Sequence, residues 1–159
     1  MQFVRKLCPL ALVLLALPAE AGNLVGTWVG RFSCNIEETT GKRKFREPNS
    51  TVQISQPGGP GTSPLRVDID GELYTGSIVP SPSDPTAEGA GAFVACTTSN
   101  TESFGAFSEI ELIAWKVKPN GDGKIGKSGV FVTNGLNIGF CTGSWERVST
   151  LDPGIPACP

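Results

Sequence analysis

Behind residue 22 no stretch of the chain sustains a helical period. Short runs rich in valine, isoleucine, threonine and aromatic residues recur instead, separated by clusters of glycine, proline, asparagine and aspartate. That punctuation predicts an all-β chain with strands at 25–36, 51–56, 65–69, 72–79, 90–97, 107–118, 124–132 and 137–148. Asp70-Gly71, between the third and fourth, is a hairpin signal, because a type I′ turn needs positive φ at both central residues. Asn120-Gly121-Asp122-Gly123 predicts a slightly longer hairpin loop, and 37–50, 57–64 and 80–89 are longer polar connections. With no internal repeat and 159 residues in all, the pattern suits one domain. An eight-stranded antiparallel up-and-down β-barrel and a two-sheet β-sandwich both fit it.

Residues 1–21 have the anatomy of a secretory signal peptide. Arg5 and Lys6 precede an apolar run from Leu7 to Leu17, followed by Pro18 and a small-residue cleavage site at Ala19-Glu20-Ala21. A membrane-spanning helix needs about 20 apolar residues, so no membrane span is expected. Cys8 falls within the leader, and the domain at 22–159 keeps Cys34, Cys96, Cys141 and Cys158. An even number of cysteines in a secreted or periplasmic chain predicts two disulfides. A zinc site built from them is disfavoured, because such sites use cysteines about two to four residues apart and these are widely spaced.

Composition removes several function classes. The chain has no histidine, which excludes Ser-His and Cys-His hydrolysis and His-ligated zinc. A formal net charge of -2 without a basic stripe disfavours nucleic acid as a partner. No nucleophile elbow, phosphate loop or metal triad is present, so no catalytic residue, cofactor or metal is assigned and the chain is expected not to be an enzyme. Asp68, Asp70 and Glu72 around one turn, and Asn120 with Asp122 in another, could supply oxygen ligands to calcium. Neither group reaches the ligand count, and turn chemistry is the default. Lys42, Arg43, Lys44 and Arg46 form a basic cluster in the first long loop, to be read as a solvated loop or as a contact for an anionic partner. Asn49-Ser50-Thr51 fits the N-glycosylation sequon.

Gly26-Thr27-Trp28 at the head of the first strand, with Trp145-Glu146-Arg147 in the last, resembles the calycin signature of lipocalins, avidins and related small barrels. The resemblance implies an up-and-down barrel closed at one end by Trp28 beneath Arg147. If those two residues face each other on antiparallel strands, Gly30 faces Trp145, Phe32 faces Gly143, Cys34 faces Cys141 and Ile36 faces Gly139. The other face pairs Thr27 with Val148, Val29 with Glu146, Arg31 with Ser144 and Ser33 with Thr142. One face is then bulky against glycine and the other largely polar, as the inside and outside of a barrel should be. The same register favours a Cys34–Cys141 disulfide and leaves Cys96 for Cys158, a tail tether also common in lipocalins; the other pairings of four cysteines stay open.

An eight-stranded barrel either fills its interior with side chains or holds one small ligand. Tyr74, Phe107, Trp115 and Phe131 are the candidate lining residues, with core filling as the plainer reading of each. Three functions follow. The first is binding of a small, apolar ligand in the barrel. The second is binding of a protein partner through the basic loop or the residues near 22–25, as in periplasmic protease-inhibitor barrels, which also begin with a Gly-x-Trp strand. The third is a secreted structural protein without a cavity.

Overall fold

The computed structural model describes residues 23–38, 40–59, 64–81, 88–101, 105–117, 122–133 and 136–159, and residues 1–22, expected to be a signal peptide, lie outside them. The described residues form nine antiparallel strands: β1 (Gly26–Glu38), β2 (Gly41–Ser55), β3 (Leu65–Ile69), β4 (Glu72–Pro80), β5 (Glu88–Ala95), β6 (Ser99–Thr101), β7 (Gly105–Val117), β8 (Gly123–Thr133) and β9 (Leu136–Ser149). Eight of them run in the order β5-β4-β3-β2-β1-β9-β8-β7, and β5 pairs with β7 to close the ring. This is a barrel and not a sandwich, because the first and last strands pair along their length. The short β6 pairs with β7 outside the ring.

The pairing of β1 with β9 places Trp28 opposite Arg147, Gly30 opposite Trp145, Phe32 opposite Gly143, Cys34 opposite Cys141 and Ile36 opposite Gly139. Trp145 is wholly buried, and its space comes from its neighbours. A Cβ at Gly143 would run into the Trp145 ring, and one at Gly30 would lie 2.6 Å from the Trp145 Cα. One facing pair differs from the expected register. Thr27 faces Ser149, not Val148, because a bulge between Thr27 and Trp28 leaves Val148 as the extra, exposed residue.

The alternation that buries one face of each strand gathers Val52, Ile54, Leu65, Val67, Ile69, Ile78, Phe93, Ile113, Trp115, Val117 and Ile125 around Trp28 and Trp145. Full burial of each aliphatic side chain contributes about 1.5–3 kcal/mol. Leu24 plugs the end at which Trp28 lies. Its amide donates to Gln56 Oε1 at 2.9 Å, and its carbonyl accepts from Trp28 Nε1 at 3.1 Å. Arg147 stacks over the Trp28 ring, 4.3 Å from its centroid, and donates to the Asn23 carbonyl.

Disulfides join Cys34 to Cys141 and Cys96 to Cys158. The carboxy-terminal tail reaches its cysteine along the outside of β2 and β3. Ser55 Oγ donates to Asp152 Oδ1 at 2.5 Å and accepts from the Ile155 amide at 2.9 Å, and Ile155 is buried.

Within the connection expected at 37–50, residues 37–38 and 41–50 are strand. β2 begins at Gly41 and pairs with β1 from Glu38–Gly41 down to Phe32–Glu47, before a bulge opposite Arg31. The basic cluster is therefore on a strand, not in a loop. Residues 41–46 are exposed on both faces, so no apolar alternation marked them as strand. At the β3–β4 turn, Asp70 and Gly71 have φ of 54° and 90°, the positive pair that a type I′ turn requires.

A polar cluster inside the barrel

β7 turns Glu109, Glu111, Ile113, Trp115 and Val117 inward, all buried. Apolar residues occupy the half of this row near Trp28, and the two glutamates occupy the other half. β8 contributes Lys127 two positions beyond Ile125, likewise inward, and β4 contributes Tyr74.

These groups meet. Lys127 Nζ pairs with Glu111 Oε1 and lies over the rings of Phe32 and Trp145, 4.9 and 5.4 Å from their centroids. Glu111 is 0% exposed, and its second oxygen, Oε2, has no hydrogen-bond partner among the described residues. Gly129 stands opposite Glu111 and makes its room, since a Cβ there would lie 2.6 Å from that oxygen. The Tyr74 hydroxyl donates to Glu109 Oε2 at 2.9 Å, with Glu72 Oε2 a second acceptor 3.3 Å away. Phe93, 1% exposed, sits opposite Glu111 on β5 and walls the same space. A further chain runs from Trp145 Nε1 to Ser50 Oγ at 3.1 Å, and from Ser50 Oγ to Asp70 Oδ2 at 2.6 Å.

Burial dominates the electrostatics. It raises the Glu111 carboxyl from its ordinary 4.5 to about 8; a hydrogen bond shared with the Glu109 carboxyl pushes the same way, and Lys127 pulls against both. Burial, reinforced by the charges of Glu109 and Glu72, holds the Tyr74 phenol well above its usual range, so it remains a hydrogen-bond donor. At the other end burial lowers the Arg147 guanidinium to about 10, which leaves it charged at neutral pH.

Comparison with family models, with curated proteins and with solved structures found no match. The closed ring with Trp28 under Arg147 is compatible with a calycin-like fold.

Of the residues expected to line the interior, Tyr74 belongs to the polar cluster. Trp115 is buried near Trp28, packed against Gly89, and its Nε1 is without a partner among the described residues. Phe107 and Phe131 lie on β7 and β8, with backbones opposite Ser99 and Glu109, and their side chains are outside the description. Sequence reasoning missed Glu109, Glu111 and Lys127. The available signal was period two on β7, where both glutamates share the parity of Ile113, Trp115 and Val117. The acids at 68–72, for which turn chemistry is the default over calcium, accept protein hydrogen bonds, Glu72 from the Tyr74 hydroxyl. Asp68 Oδ1 accepts from the Gly71 amide at 2.7 Å, and Asp70 Oδ1 accepts from the Thr51 amide at 2.6 Å. Asn120 of the second group lies outside the described residues, and Asp122 is exposed.

Proposed function

We propose that this protein is a non-catalytic binding barrel of an oxidising compartment, secreted or periplasmic, that holds one small ligand inside the ring. The ligand is apolar over most of its surface and carries one hydrogen-bond-donating head, such as an ammonium or hydroxyl group. The observation that carries this reading is the wholly buried Glu111 carboxyl gathered in one cluster with Glu109, Lys127 and Tyr74. Apolar side chains of similar volume would fill a barrel at less cost, because taking charges out of water is expensive. A few convergent polar groups against aromatic walls is the usual make-up of a small-molecule site. Two carboxyls against one ammonium favour a donor or cationic head over an anionic one, while Phe32, Phe93 and Trp145 supply the apolar contact. The likeness to calycins, in the closed ring and the Trp28–Arg147 stack, supports the same reading. Tyr74, held protonated, is suited to orienting Glu109 and not to abstracting a proton.

The test is a titration of the disulfide-intact protein with an alkylamine, alkanol and alkanoate of one chain length, followed by tryptophan emission and native mass spectrometry. The expected order is amine over alcohol over acid, with the amine preference abolished by Glu111→Gln and Glu109→Gln together. Equal uptake of the three, or a preference that survives both substitutions, overturns the assignment.

A further inference from the structure

β2 is paired on both sides only over part of its length. On one side it follows β1 throughout, but on the other it meets β3 only from Val52 to Ser55. Asp70 caps the end of that ladder by accepting from Ser50 Oγ and the Thr51 amide. From Gly41 to Asn49 the outer edge of β2 has no strand beside it among the described residues; residues 41–46 are exposed, and the Asn49 amide donates to Glu47 Oε1 at 3.2 Å.

This edge is rigid and charged. The Cys34–Cys141 disulfide ties β1 to β9 at the point where Cys34 faces Phe45, and the Phe45 ring packs on Phe32 with centroids 5.8 Å apart. Lys42, Lys44 and Arg46 share one face of β2, and Arg31 lies on the same outer face of β1. Lys42 is paired with Glu37 at 3.0 Å, whereas Lys44, Arg46 and Arg31 have no ion pair among the described residues. These last three, together with Glu47 and the hydroxyls of Ser33, Thr142 and Ser144, line an open groove of about 730 Å³ that crosses the outer face from β2 over β1 to β9, beside the free edge and not along it.

We propose that the Gly41–Asn49 edge of β2 docks an extended acidic peptide segment of another protein as an added strand. Two independent features select that occupant. Unpaired backbone donors and acceptors on a strand edge are satisfied by another peptide backbone. The unpaired cations beside them are matched by carboxylates on alternate residues of that segment, which repeat at the spacing of Lys44 and Arg46 along β2. A second copy of this chain is a poor occupant, since edge-to-edge pairing would set Lys42, Lys44 and Arg46 against each other. A sulfated or phosphorylated polymer matches the charge and leaves the backbone edge unused. The docking surface is on the outside of the ring and does not depend on a ligand within it.

The experiment uses the disulfide-intact protein and three probes. They are an octapeptide of alternating glutamate and valine, the same peptide N-methylated at alternate backbone nitrogens, and inorganic polyphosphate. Fluorescence anisotropy is expected to show salt-dependent binding of the plain peptide, weakened about tenfold or more by Lys44→Glu with Arg46→Glu. Loss of binding on N-methylation, and slowed amide exchange at 41–49 in the complex, are expected for strand addition. Three outcomes overturn the proposal: no binding of the plain peptide, equal binding of the methylated peptide, or polyphosphate binding as tightly and blocking the peptide without any change in exchange at 41–49. Both substitutions are at exposed positions, and unchanged thermal unfolding of the variant shows that a loss of binding is not a loss of fold.

Discussion

Glu111 and Lys127 meet inside the ring with side chains 0% and 3% exposed, so that a carboxyl and an amine share one buried space. Each stabilises the other's burial, and neither is tolerable alone. Lys127→Met is expected to cost about 1–3 kcal/mol, because it leaves a buried carboxyl oxygen without its donor, whereas Lys127→Met with Glu111→Leu should return close to the parent. Urea unfolding of the three variants measures both values. A near-parental double variant that also loses amine binding would separate the cluster's binding role from its structural one.

The raised Glu111 carboxyl makes stability depend on pH in a direction opposite to that of an ordinary salt-bridged acid. Its folded value, about 8, lies above the 4.5 of the ordinary group, so the folded state binds the proton more tightly. The stabilisation is complete below pH 4.5 and is lost as the pH rises from there to about 8. The slope cannot exceed about 1.4 kcal/mol per pH unit for one proton. Thermal melts between pH 5 and 8.5 should show the decline, and Glu111→Gln should flatten it.

Trp28 is fully buried beneath Arg147 and fixes the Leu24 plug, so Trp28→Ala is expected to destabilise by about 3–5 kcal/mol. Arg147→Ala should cost less, about 1–2 kcal/mol, since it removes a cation–π contact and leaves the ring in place. Denaturant midpoints of the two variants test the order. A loss below about 1 kcal/mol for Trp28→Ala would place that ring outside the core.

Removal of the Cys34–Cys141 bond by paired serine substitution should cost about 2–5 kcal/mol. The loss should be felt first in the projecting part of the β1–β2 hairpin, where hydrogen exchange at 41–49 should accelerate before that of β7 and β8. Equal acceleration everywhere would mean that the bond supports the ring and not the arm.

Much of the fold could be read in advance because the barrel's geometry is written in complementary sizes. Glycines stand opposite Trp145 and Phe32, and two cysteines stand opposite each other, so one register between the first and last strands accounts for all of them. The bulge at Val148 escaped that reading, since an extra residue on a strand end leaves no mark in composition. The length of β2 escaped it for another reason: a strand edge protected by lysine and arginine looks like a loop. The interior cluster was hidden by the same assumption in reverse. Glutamate and lysine on a strand are ordinarily assigned to the solvent face, and only the inward parity of Glu109, Glu111 and Lys127 shows otherwise.

The two disulfides have a mechanical consequence. Cys34 and Cys141 are 107 residues apart in the chain and bonded to one another, while Cys96 and Cys158 bracket the second of them. A pull applied between Asn23 and Pro159 therefore travels from β1 straight across the bond into β9 and out along the tail. Every residue between Cys34 and Cys141, the polar cluster and the β2 edge included, lies off the load path. Under tension, extension would be confined to residues 23–34 and 141–159, with the whole segment between the two cysteines held slack behind a covalent bypass.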